Sequence, residues 1–311
     1  MMEHLENNLQ PSVDKILEKA KSLFILEDTT RKWIGNFPSL YAEIHIKRIV
    51  KKLNDERFNN LNMLTTYIVQ DIGNIITIIF RLSWMQEKSV IDDFLRNMWM
   101  HFAGVDISLF HIEIKSIMDY IAEIIAECAD KQLLQEYVRT NKSLYNPENF
   151  DKLKSWSNIP QKFAGLKHWL TADAENIRHQ CLDSNIAKIV ETTLWYDEIS
   201  FVRNKLVHKG DCTLVFGKPE EGILFQIFGD GCERVAMNDF YILENNIASF
   251  ERYAALYISQ LLLFLEQFAE ILRHKLSFME DIGNSKIGDP GFDVLIKWID
   301  LSLIHDDKSG S

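Results

Sequence analysis

The chain has 311 residues, 47% of them hydrophobic and 25% charged, with only 13 Gly and 6 Pro. That length and balance fit one large or two modest folded domains with ample core, and exclude low-complexity and collagen-like chains. Lys and Arg total 34 against 45 Asp and Glu, a formal charge of −11, which excludes a broad basic channel for nucleic acid and confines any polyanion to a local positive site.

The opening stretch, MMEHLENNLQPSV, is acidic and polar, which predicts neither a secretory nor a transit peptide. Ser12 after Pro11 suits the cap of a helix running to about Asn36, and Ser39 after Pro38 the cap of another ending near Asn54. An apolar-periodic stretch from about Phe58 to Met85 predicts a long helix. Ser89 opens a further helix, SVIDDFLRNMWMHF, which a turn at Ala103-Gly104 closes, and Asp106 caps the next one, from Ile107 to about Ala129. From Lys131 to Asp183 the pattern is choppier, with Pro147 and Pro160 between short Trp- and Phe-rich pieces, and reads as a packed connector.

Ser184 is expected to cap a helix that includes EISFVRNKLVHKGD and stops at Gly210. The period then changes. CTLVFG, GILFQIFG and CERVAM are short β-like runs separated by turn residues, which predicts a small hairpin or meander over about 212–237. Helical periodicity returns from about Asp239 to Met279, and GFDVLIKWIDLSLI forms the last predicted helix. The most apolar run, 253–272, is interrupted by Ser259, Gln260, Glu266, Gln267 and Glu270, so it reads as a buried core helix with no membrane partner, and the protein as cytoplasmic. Cys128, Cys181, Cys212 and Cys232 show no metal-type or redox-motif spacing, and read as reduced, packed thiols. His111, His168, His179, His274 and His305 have no metal-like spacing either, so packing or surface roles are expected, with no metal and no cofactor.

The chemistry-bearing stretch is residues 198–211. On a helical wheel at ~100° per residue, Trp195, Ile199, Val202 and Leu206 fall within about 60° and form a core stripe. Arg203, Ser200, Asn204, Asp197 and His208 spread over a separate polar arc of about 140°, interleaved with Tyr196 and Val207. The Arg-Asn-x3-His pattern occurs twice, as RNKLVH at 203–208 and RNMWMH at 96–101. Local charge separates the copies. Arg96 has Asp92 and Asp93 in helical contact range, so it is expected to be consumed in an ion pair beside a packed Met98-Trp99 face. Arg203 has Ile199 and Ser200 at those offsets, while Lys205 and Lys209 add positive charge and His208 lies in the last turn, where the helix dipole favours imidazolium. Asp197 on the same arc would either orient His208 or neutralise the site, and Lys115 with Asp119 is expected to be a solvated ion pair.

VRNKLVHKG resembles the signature of the HEPN superfamily: an Arg, a polar neighbour, and a His a few positions on, near the end of a core helix. The resemblance is specific over about a dozen residues, and beyond them rests on the helical pattern from about 58 to 278. It implies an all-α, HEPN-like up-and-down helical bundle over 58–311 with the β insertion, preceded by a helical N-terminal extension, 1–57. It further implies a homodimer in which two copies of the Arg203–His208 helix face meet, forming a metal-independent endoribonuclease that leaves cyclic-phosphate ends. In that reading Arg203, Asn204 and His208 are catalytic, Lys205, Lys209 and Asp197 line the RNA, and an antitoxin or nucleotidyltransferase is a possible partner in a toxin or phage-defence role. The competing expectations are a non-catalytic HEPN-like module that binds RNA, a nucleotide or a protein, and a purely structural helical scaffold.

Overall fold

The computed structural model describes residues 12–50, 56–141, 157–172, 176–208, 213–227, 239–243, 247–276 and 285–304, with 47–50, 206–208 and 227 described by their backbone alone. The chain is mostly helical, as its periodicity requires, and two three-stranded antiparallel sheets stitch the helices together.

Helix α1 (Val13–Lys21) is shorter than the sequence pattern suggests, because a hairpin follows it: β1 (Phe24–Glu27) and β2 (Thr30–Ile34). Asp28 and Thr29 both take positive φ, 49° and 72°, the two-residue turn whose twist matches paired strands. A non-glycine residue in that region costs roughly 1–2 kcal/mol, offset by the facing pair Phe24 and Trp33, both buried. Helix α2 (Asn36–Val50) is capped from outside. Ser39, expected as its cap, instead donates to the Gly35 carbonyl at 2.8 Å. The Glu266 carboxylate accepts the amides of Asn36 and Phe37, satisfying donors that a helix start leaves open. Gly35 holds a φ of 150°, and a Cβ there would collide with that carboxylate.

Helices α3 (Glu56–Ser89) and α4 (Asp93–Cys128) form a long antiparallel hairpin. The expected break at Ala103-Gly104 does not occur: α4 is one helix of 36 residues, capped by Asp92, which accepts from Leu95 N at 3.0 Å. Asp106, read as a cap, faces α3 and binds Arg81 Nε at 2.7 Å. The two helices meet in a seven-residue rhythm: Tyr67 against Tyr120, Asn74 against Glu113 at 3.2 Å, and Arg81 against Asp106. This is the spacing of paired helices that keep one face toward each other. Asp71 lies on the same seam, where burial and the neighbouring Glu113 carboxylate raise its pKa to about 7.

The connector contains α5 (Lys131–Asn141), α6 (Phe163–Thr171) and α7 (Ile177–Leu182). The helix expected from Ser184 to Gly210 is two helices, α8 (Ser184–Glu191) and α9 (Trp195–His208), and α8 is capped by Asp183 rather than Ser184. Gly210 lies outside the described residues. Strands β3 (Thr213–Phe216) and β4 (Leu224–Ile227) fall where the β-like runs do; CERVAM lies outside the described residues, and the third strand is β5 (Ala248–Ser249).

Helix α10 (Phe250–Lys275) is buried almost all round, from Phe250 to Leu272, which is how a helix apolar on every side is accommodated. It starts later than expected, at the Ser249 cap. Strand β6 (Lys286–Gly288) pairs with β2, setting Ile287 opposite Trp33, and α11 (Gly291–Ile304) closes the fold. Residues of α1, β2 and α2, in the expected N-terminal extension, thus share one hydrophobic core with α10 and α11. Helices α3 and α10 are each long and apolar enough to cross a membrane, and 72% of the apolar window of α10 is buried inside the protein. Cys128 and Cys181 are buried free thiols, and desolvation pushes Cys181 up to about 11.

Candidate functional site

Helix α9 carries the motif, and its anchorage decides what the motif can do. Tyr196, Ile199 and Val202 are buried, so the inward arc is broader than the expected stripe and includes Tyr196, while Trp195 is only half-buried. Glu198 points into the protein and accepts the hydroxyls of Tyr241, at 2.8 Å, and Tyr257. Burial raises its pKa, a rise that the Tyr257 and Tyr241 hydroxyls oppose only in part. Tyr253 packs against both tyrosines, with ring centroids 5.0 Å from Tyr241 and 4.4 Å from Tyr257. Its hydroxyl lies 2.9 Å from His111 Nε2. His111 Nδ1 sits 2.7 Å from the Ile107 carbonyl; with the proton there, Nε2 accepts from Tyr253 and the ring is neutral. Desolvation lowers the His111 pKa to about 4.

This buried polar chain ties α9 to α4 and α10. Sequence reading missed it: Tyr253 and Tyr257 are one turn apart, yet His111, Glu198 and Tyr241 come from separate segments, and no local pattern joins them.

On the other side of α9 a second polar group gathers around Asp119. Its carboxylate takes Lys115 Nζ at 3.0 Å, Lys162 Nζ at 3.3 Å and the Phe163 amide at 3.1 Å. The expected solvated Lys115–Asp119 pair is therefore largely enclosed, with side-chain exposures of 15% and 10%. It fixes the start of α6. Tyr196 lies close by: burial raises its hydroxyl pKa first and the Asp119 charge next, while Ser200 and Arg203 oppose the rise.

The motif residues themselves separate. Arg203 is half-buried, and its Nη1 donates to Asn204 Oδ1 at 3.4 Å. Asn204 is exposed, and the backbone carries His208 one turn beyond it to close the helix. The His208 side chain, and all of Lys209, lie outside the described residues. Lys205, expected to line RNA, is only 4% exposed and stands 5.6 Å over the Phe201 ring. Its aliphatic stem is packed and its charge is not offered to solvent. Asp197 is exposed but engaged by Lys167 Nζ at 2.6 Å, and the same ammonium reaches the Thr193 carbonyl at 2.9 Å. That pairing ties Asp197 to the α8–α9 break through Lys167.

The second copy of the pattern is consumed, though not by the partners expected. Arg96 donates to the Ser89 and Val90 carbonyls, at 3.1 and 2.7 Å, and pairs with Glu220 at 2.6 Å. It closes the C-terminal end of α3, where carbonyls lack helical partners, while Asp92 is occupied as the α4 cap. Trp99 is buried beside it, and Asn97 and His101 are exposed. Comparison of the chain with protein-family models, curated proteins and solved structures finds no match.

Proposed function

We propose that the chain is a metal-independent endoribonuclease of HEPN type, acting as a homodimer through the α9 face that carries Arg203, Asn204 and His208. One observation carries the choice of site. Of the two copies of the pattern, one has its guanidinium held by the Ser89 and Val90 carbonyls and Glu220 at the end of another helix, whereas Arg203 reaches the amide of Asn204, an exposed residue of its own motif.

The chemistry suits these residue types. In RNA the 2'-hydroxyl attacks the adjacent phosphorus and the 5'-oxygen leaves, giving a 2',3'-cyclic phosphate and a free 5'-hydroxyl. The nucleophile is already tethered to the phosphorus, so positioning supplies much of the rate. One proton must leave the 2'-oxygen and another must reach the 5'-oxygen, a task matched to imidazole near neutrality. His208 is the proton-transfer group in this reading. Arg203 offsets the charge that builds on the phosphoryl oxygens, and Asn204 holds the guanidinium fork or the phosphate. A two-fold axis supplies the second His and Arg.

Purified full-length protein should cut single-stranded RNA in EDTA and leave cyclic-phosphate ends. Arg203→Ala and His208→Ala should each lower the rate at least ~100-fold, the scale of a lost acid–base or charge-stabilising group, with unchanged far-UV dichroism. Arg96→Ala should cut at the parental rate. Loss of cutting in the Arg96 variant alone would move the site to the other copy.

A second reading, a non-catalytic module that binds RNA, a nucleotide or a protein on the same face, gains from the burial of Lys205, which reduces the free positive potential beside Arg203 in a chain of net charge −11. Binding of labelled RNA without cleavage by the wild type would favour it.

A further inference from the structure

One side of α9 joins its buried face to its motif. Tyr196, Ser200 and Arg203 follow one another at offsets of four and three, so they share that side of the helix. It faces the start of α6. The Phe163 ring stands 4.9 Å from the Tyr196 ring, and beyond the effect of burial the Asp119 carboxylate and the Arg203 guanidinium act on the Tyr196 hydroxyl in opposite directions. Lys162, the residue before Phe163, therefore stands at the edge of the Arg203 face. Its ammonium is 3.3 Å from Asp119 and its side chain is 68% exposed.

Lys162 occupies the N-cap of α6, a place where a lysine is locally unfavourable. It has no acceptor for the open amides, makes no side-chain cap bond, and its charge opposes the helix dipole. Asp119 caps the helix from α4 instead, taking the Phe163 amide at 3.1 Å. A residue that breaks local rules while the surrounding fold compensates for it marks a place where function is expected. Charge points the same way. Lys205 is buried, so positive potential beside Arg203 comes from other elements. Among the described residues at this junction, Lys115, Lys162, Lys167 and Arg203 stand against Asp119 and Asp197, a local cationic surplus in a chain of net charge −11. Lys162 can also leave its partner. Lys115 binds Asp119 at 3.0 Å from the enclosed side and the Phe163 amide stays in place, so the carboxylate remains compensated when Lys162 turns to a phosphate. An exposed ion pair holds its members only weakly.

We propose that Lys162 is a substrate-binding residue that contacts a phosphate of single-stranded RNA next to the one held at Arg203. Tyr196 and Arg203 are two turns apart, ~10 Å along the helix axis, so the two cations meet different phosphates of one strand. The proposal rests on the reading that the α9 face takes RNA, and does not require that the RNA be cut.

The test is binding of a fluorescein-labelled 2'-O-methyl oligonucleotide, which lacks the attacking hydroxyl, to the full chain, read as anisotropy over a series of salt concentrations. Lys162→Ala should weaken binding about 3–10-fold and lower the slope of log affinity against log salt by about 0.7–1, the share of one phosphate contact. Lys162→Arg should restore both, and both variants should melt at the wild-type temperature. Asp119→Asn breaks the same ion pair but removes the carboxylate that competes for Lys162, so it should bind at least as tightly as the wild type. If the pair served only to hold α6, both Lys162→Ala and Asp119→Asn would weaken binding alike, and that result would overturn the proposal. Lys88→Ala, ~40 Å away along α4, should bind as the wild type does; an equal loss there would reduce the Lys162 effect to overall charge and overturn it too. So would a wild type that does not bind the strand, or a Lys162→Ala variant that binds it unchanged. A wild type that binds the strand but leaves cleavable RNA intact would remove the nuclease reading and leave Lys162 standing. Cleavage by Lys162→Ala at the parental kcat and KM would do the reverse.

Discussion

His111 is fully buried and held at both ring nitrogens, by the Ile107 carbonyl and the Tyr253 hydroxyl. Its pKa is lowered to about 4 because burial disfavours the cation. The unfolded chain binds that proton near ~6.5. Between the two values the unfolded state holds more protons, so stability is full above the unfolded value and falls as pH drops from about 6.5 towards 4, by up to ~3 kcal/mol for this group. His111→Gln keeps a polar side chain there and removes the titration. Urea unfolding compared at neutral and mildly acidic pH should therefore show a smaller acid loss in the variant than in the wild type; equal losses would place the acid sensitivity elsewhere. At this scale the sequence was partly legible. Periodicity located Arg203 and Asn204 near a helix end but set Tyr196 among the polar arc, where the fold buries it completely. It gave angles around one helix, not what covers each angle: the i, i+4 approach of Lys205 to Phe201 is a wheel neighbour, but the burial of Lys205 and the Lys167 ammonium that holds Asp197 come from geometry no wheel contains.

The helical glycines show the same limit among elements. A glycine inside a helix costs about 1 kcal/mol relative to alanine, so Gly104 reads locally as a stop. In the fold it is a point of approach: a Cβ there would stand 3.1 Å from the Thr213 carbonyl, and β3 runs across it. Gly73 of α3 has open space around it, whereas a Cβ on Gly291 would overlap the Ile76 side chain and carbonyl. Propensity should therefore win at the first and sterics at the second. Gly73→Ala is expected to stabilise by about 0.5–1 kcal/mol, and Gly291→Ala to destabilise by about 2–3 kcal/mol as α11 is pushed off α3. Denaturant midpoints measure both, and a neutral Gly291→Ala would contradict the docking of α11. Long, strongly periodic elements such as α3, α10 and α11 were readable from pattern alone. The β1–β2 hairpin was not, because its turn is Asp-Thr instead of the Asn-Gly or Asp-Gly that marks such turns in a sequence.

Across the whole molecule, the contacts hardest to foresee join residues far apart in the chain. The polar run before Glu56 invites a division into an extension and a main domain. Yet β2 pairs with β6 across more than two hundred residues of chain, and Arg273 of α10 grips Glu43 of α2 through two bonds of 3.1 Å, with a third to Asn36. Leu17, Trp33, Phe37, Leu40 and Ile44 are each fully buried. At about 1.5–3 kcal/mol per large apolar side chain, losing these five removes roughly 8–15 kcal/mol, as much as the net stability of a typical domain, about 5–15 kcal/mol. Removing residues 1–57 would also leave Arg273 without its carboxylate and Glu266 without the amides it caps, and breaking one side of a buried pair costs about 3–5 kcal/mol. The fragment 58–311 should therefore fail to fold by itself, giving no cooperative thermal transition, while the full chain melts in one. A fragment that melts cooperatively at a Tm near that of the full chain would show the N-terminal segment to be a dispensable extension, and would mean that the shared core around α10 contributes far less than its burial implies.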